Sequence, residues 1–187
     1  MIAAATPLAA GPFLAAAVLL LAAGALKVAR PHSTGVALRR AGLGVPDAAV
    51  RAGAAVEVAV AVAAMAGLRT GAVLIAASYL GFAGFVAAGL RRGSPVSSCG
   101  CFGEIDAPPT VAHLVLNVAA ALAAVAGAAR PVSVAGVLHG QPLAGMPFAA
   151  LVGVLAYGGY LVMAVLPRTV AAGDAAVAAV AGAQGEG

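Results

Sequence analysis

The chain has 187 residues, 63% hydrophobic and 9% charged, with no tryptophan and a formal charge of +4; its mean hydropathy is +1.07. A soluble domain is charged at about a quarter of its positions, and disorder needs low hydropathy with high net charge, so both are excluded and the chain belongs in a membrane. Its basic pI of about 9.7 comes from ten Lys and Arg residues spread along the chain between apolar segments. That spread speaks for loop topology and contact with anionic lipid, not for nucleic acid.

A membrane-crossing helix needs about 20 apolar residues, and windows of that length are predicted at 6–26, 48–68, 71–90, 110–129 and 146–166. The first lacks a basic n-region and is followed, not preceded, by Lys27 and Arg30, so it reads as an uncleaved span and not a signal peptide. The second carries Arg51 and Glu57; the third stops at Arg91 and Arg92, the fourth at Arg130 and Pro131, the fifth at Pro167 and Arg168. Gly and Ala recur throughout, which predicts close packing through small residues. The expected fold is all-α: a polytopic membrane helix bundle with a four-helix core and a fifth transmembrane helix, one domain over 1–166 and a flexible tail over 167–187. One Lys against nine Arg, with the alanine load, fits a GC-rich bacterial genome, and the expected location is the bacterial inner membrane.

Lys27, Arg30, Arg39 and Arg40 follow the first span, Arg91 and Arg92 the third, and Arg168 the fifth, against only Arg69 and Arg130 on the other side. By the positive-inside rule the N-terminus lies outside and both larger loops lie in the cytoplasm.

The only cysteines, Cys99 and Cys101, flank Gly100 in the loop between the third and fourth spans. A disulfide there closes a three-residue ring, which the chain-entropy model credits with about half the stabilisation of a 15-residue loop. The bent backbone it needs suits Gly100. A strained, loop-borne disulfide exchanges readily. Arg91, Arg92 and the start of the fourth span favour thiolate, while Glu104 and Asp106 oppose it. Two other readings stand beside a redox pair: a metal site built from Cys99, Cys101, His113 and an acid, against which the one-residue spacing counts, and inert thiols. The expectation is no metal.

His113 and Asn117 lie at i and i+4 on one face of the fourth span, turned to the bundle interior because polar side chains are costly toward lipid. His113 reads either as a proton carrier for thiol exchange or as a packed histidine bonded to a neighbouring helix. His32 and His139 read as solvated loop residues. Glu57 lies mid-span, where a carboxylate needs a partner; Lys27 is the first choice for an ion pair, and a proton-relay or quinone-contacting Glu is the alternative.

Cys99-Gly100-Cys101-Phe102-Gly103 resembles the Cys-x-Cys-Phe-Gly signature of the methylamine utilisation protein MauE family, within the DoxX-like redox-associated membrane proteins, and Asn117 resembles a polar position that follows it. Gly24-Ala25-Leu26-Lys27, with Pro31, Pro46 and Glu57, resembles the Lys and Glu common to MauE and DoxX proteins. The resemblance covers residues 10–130. It implies a helper of disulfide chemistry that works with a thioredoxin-like partner on the maturation of an exported enzyme such as methylamine dehydrogenase, without a cofactor of its own unless a quinone serves. It also implies thiols on the extracytoplasmic side, against the charge count. A non-catalytic assembly factor and a small transporter are the alternative functions.

Overall fold

The computed structural model describes residues 8–91, 110–170 and 172–173. Among them the regular elements are helical: α1 (Ala10–Ala29), α2 (Pro31–Arg40), α3 (Asp47–Met65), α4 (Arg69–Arg91), α5 (Val111–Ala129), α6 (Val134–His139) and α7 (Met146–Tyr160). α7 continues through a π-helical turn at Leu161–Val165 and on to residue 170. At 1.5 Å per residue, α1, α3, α4 and α5 are each roughly 30 Å long, the thickness of the hydrocarbon layer. With α7 and its extension they make five helices long and apolar enough to cross a membrane. The protein is a multi-pass membrane helix bundle.

α1 is the centre of the bundle. It packs against α3, α5 and α7, while α4 packs against α3 and α5. Phe13 and Leu20 on α1, Ala61 on α3, Ile75 on α4 and Ala124 on α5 are buried in one apolar cluster. The Tyr79 hydroxyl of α4 donates to the Ala16 carbonyl of α1 at 2.7 Å, which satisfies a phenol that would otherwise be stranded among hydrocarbon. Small residues set the helix spacing: a Cβ at Gly127 would stand 2.6 Å from the Phe13 ring, and one at Gly71 would stand 2.5 Å from the backbone nitrogen of Ala64. Lipid offers no hydrophobic drive between helices, so this close fit and its dispersion contacts carry the association. Val56, Leu80, Leu122, Leu151 and Val154 are more than half exposed, as an outer surface in contact with lipid requires.

The contacts also fix the direction of the spans. Late α1 meets early α3 at Gly24 and Ala54, and early α1 meets late α5 at Phe13 and Gly127. Both pairs are therefore antiparallel, so the end of α1, α2, the start of α3, the end of α4 and the start of α5 share one end of the bundle.

Two stretches expected as loops are helical. α2 opens on Pro31, whose fixed φ suits a first helical position, and buries Pro31, Ser33, Gly35 and Ala37 on the side that meets α3. α6 is capped by Ser133, whose Oγ accepts from the Gly136 amide at 3.0 Å. Beyond α6 the backbone turns through three left-handed residues, Leu143 (φ 53°), Ala144 (φ 51°) and Gly145 (φ 72°), of which only the glycine is free of a Cβ penalty. The fifth span extends past residue 166, where the sequence pattern ended it.

Candidate functional site at the cysteine-loop end

Cys99, Gly100, Cys101, Phe102 and Gly103 lie outside the described residues. The helix ends that bracket them do not: Arg91 closes α4, and Thr110 caps α5. What surrounds that end of the bundle is polar and tied together.

Lys27 sits in the last turn of α1 with 4% of its surface exposed. Its Nζ lies 2.6 Å from Oε2 of Glu57 on α3 and 4.7 Å from the centre of the Phe82 ring on α4. One turn before the lysine, a Cβ at Gly24 would come within 3.1 Å of the Ala54 carbonyl and 3.3 Å of the Glu57 Cβ. The glycine therefore lets α1 and α3 approach at the level of the pair. A buried ammonium is costly unless its desolvation is offset; here a carboxylate and the negative face of an aromatic ring offset it together. The sequence pointed to Glu57 and Lys27, and the structure brings them into contact. Phe82 was not singled out, because a phenylalanine in an apolar span carries no sign of which ring will meet a cation.

On α5, His113 is fully buried and Asn117 nearly so. The His113 Nδ1 accepts from the Thr110 amide at 3.2 Å and lies 2.9 Å from the Thr110 hydroxyl. Its Nε2 lies 2.8 Å from the Met163 carbonyl oxygen. A carbonyl only accepts, so Nε2 carries the proton and the ring is the neutral Nε2–H tautomer. The reason lies in α7. Pro167 stands four residues after Met163 and has no N–H, so the ordinary α-helical bond to the Met163 carbonyl cannot form next to the π-helical turn, and the histidine supplies a donor from another helix. Asn117 donates to the His113 carbonyl at 2.7 Å. Of the two readings of His113, the contacts are those of a histidine bonded to a neighbouring helix.

The family model of the methylamine utilisation protein MauE matches residues 5–130. The chain belongs to the MauE family. That match spans α1–α5 and takes in Lys27, Glu57, the Cys99–Gly103 motif, His113 and Asn117, while α6 and α7 lie beyond it. No curated protein and no solved structure was matched. Family membership and five candidate spans make this a multi-pass membrane protein of the methylamine-utilisation-associated MauE family.

The other charged residues described at this end of the MauE bundle are mostly basic. Arg51 on α3 donates from Nε to the Val28 carbonyl at 3.2 Å, which satisfies one of the orphan carbonyls at the end of α1. His32 is not a free loop residue: it lies in the first turn of α2, 3.2 Å from Asp47, although it is 72% exposed. Asp47 also faces Arg39 at 3.6 Å, and a Cβ at Gly35 would stand 2.6 Å from its Oδ1, so the first residue of α3 tucks over α2. His139, the other expected loop histidine, closes α6 at the opposite end. Among the described residues no three His, Cys, Asp or Glu converge as metal ligands would.

Proposed function

We propose that this MauE-family protein is an inner-membrane thiol–disulfide redox protein whose exchanging pair is Cys99 and Cys101. The observation that supports the reading most is the sequence one: the chain's only sulfur nucleophiles flank a glycine in one loop, where a disulfide adds little stability and exchanges easily. The partner is a thioredoxin-like protein, and the client is an exported enzyme of the methylamine dehydrogenase type. In one turnover a partner thiolate attacks one sulfur of the Cys99–Cys101 disulfide and expels the other as thiolate. The partner's second thiol then resolves the mixed disulfide. The partner leaves oxidised, and two electrons and two protons remain on Cys99 and Cys101. Their reoxidation needs an acceptor, for which a membrane quinone is the chemical class proposed; the exchange itself needs no bound cofactor.

Making Cys99→Ser and Cys101→Ser separately tests this. Each variant keeps one thiol, which can enter the same exchange in reverse by attacking the disulfide of an oxidised partner but has no second thiol to complete it; one of the two is expected to hold that Cys-x-x-Cys protein as a reducible adduct on non-reducing gels. If neither does, and the double variant still supports maturation of the client, a non-catalytic assembly role replaces the redox one. Labelling intact cells with a membrane-impermeant maleimide is expected to modify the reduced thiols, since exported clients are met outside. Protection until the cells are opened, as the basic residues at this end favour, would move the exchange to a cytoplasmic partner.

A further inference from the structure

At the end of the bundle away from Thr110 and Arg91, α1, α3, α6 and α7 enclose a half-open cavity of about 230 Å³. We propose that it seats one hydrocarbon chain of a bilayer phospholipid.

The lining decides the chemistry. Leu14, Met65, Val137, Phe148 and their neighbours present carbon and no charged or hydrogen-bonding side chain. A water molecule there would lack the two to four polar partners that hold buried water in place, so the space is dry. Left empty, it would deprive every lining side chain of contacts on one side. Only an apolar occupant supplies them, and nothing in the wall could recognise a headgroup or a polar ring.

Position decides the source. Leu14 and Val18 lie roughly 6 and 12 Å into α1 at 1.5 Å per residue, while Met65 ends α3 and Val134 begins α6, so the cavity runs from the helix ends into the outer part of the apolar spans. Its rim includes Ala149 and Gly153, one turn apart and exposed on α7. A Cβ at Gly153 would meet nothing within 4 Å. The mouth therefore opens sideways onto lipid through two small residues, and the molecules on that side are acyl chains.

The protein has no tryptophan, which makes the test direct. Phe148→Trp places a single fluorophore in the cavity of the full chain; Leu122→Trp, 65% exposed on α5, reports bulk lipid. Each is reconstituted into phosphatidylcholine vesicles with and without bromine on the acyl chains. Bromolipid is expected to quench both. Gly153→Leu or Ala149→Leu, each plugging the mouth, is expected to lower quenching of the Phe148→Trp reporter at least twofold and to leave the Leu122→Trp reporter unchanged. A cavity tryptophan that bromolipid leaves bright, or one quenched equally with the mouth open and plugged, would overturn the proposal. Leu138→Trp, across the same cavity, repeats the measurement if Phe148→Trp does not fold.

Discussion

The two ends of this bundle are built on opposite principles. At the cysteine-loop end, helices are joined by directed polar contacts: Lys27 to Glu57, His113 to Met163, Arg51 to Val28 and Asp47 across α2. At the other end the described structure has a short capped helix, a left-handed turn and a cavity walled by carbon. Polar groups inside a membrane protein are expensive and are kept where position matters. Non-directional packing leaves side chains and lipid room to adjust. The difference teaches that rigidity has been concentrated around the helix ends from which the cysteine loop is hung.

If that is right, removing contacts at the polar end must cost much more than removing them at the apolar end. The largest loss is expected from Lys27→Met or Glu57→Gln alone, because each strands a buried charge or breaks the pair at about 3–5 kcal/mol. Joining Lys27→Met with Glu57→Leu should recover most of the loss, and thermal melting in detergent would show it; single variants that melt with the wild type would break the comparison.

His113→Leu comes next. It leaves the Met163 carbonyl and the Thr110 amide without a side-chain partner, at about 1–3 kcal/mol for a buried group left unsatisfied. The sharper form adds Pro167→Ala, which restores an N–H four residues after Met163. The same His113→Leu change should then cost measurably less than in the Pro167 background. Equal costs in the two backgrounds would show that the histidine does not stand in for the missing helical donor.

The smallest effect is expected at the opposite end. Ser133→Ala removes a cap at a cost of about 0.5–1 kcal/mol, and its consequence should be local: faster amide exchange in α6, with little change in melting. A Ser133→Ala loss as large as that from Glu57→Gln would erase the distinction between the ends.

The five spans were readable because run length and charge spacing are one-dimensional signals, and the bilayer enforces them. α2 and α6 were not, since short helices with Pro, Gly and Ser lack the length that betrays a span, and their burial depends on neighbours. Glu57 showed itself as a lone carboxylate in an apolar run, but that run does not display the close approach at Gly24 or the Phe82 ring. His113 and Asn117 were visible as a polar pair. The acceptor for His113 was not, because a backbone carbonyl has no letter of its own. The one available clue is Pro167, four positions beyond Met163, and a proline at that place in a sequence signals the end of a helix before it signals a missing donor. The motif at Cys99–Gly103 remains a reading from residue types, since it lies outside the described residues.

The His113–Met163 bond ties a side chain within the family-matched segment to a backbone atom beyond it. Position 113 and the last helix are therefore structurally coupled in this chain. A relative that ended after α5 would be left with an imidazole N–H aimed at hydrocarbon, and should carry a nonpolar residue there. A relative that kept the last helix but had an ordinary residue at 167 would be free to drift at 113. Through that one proline, the composition of the fourth span is answerable to the presence of the fifth.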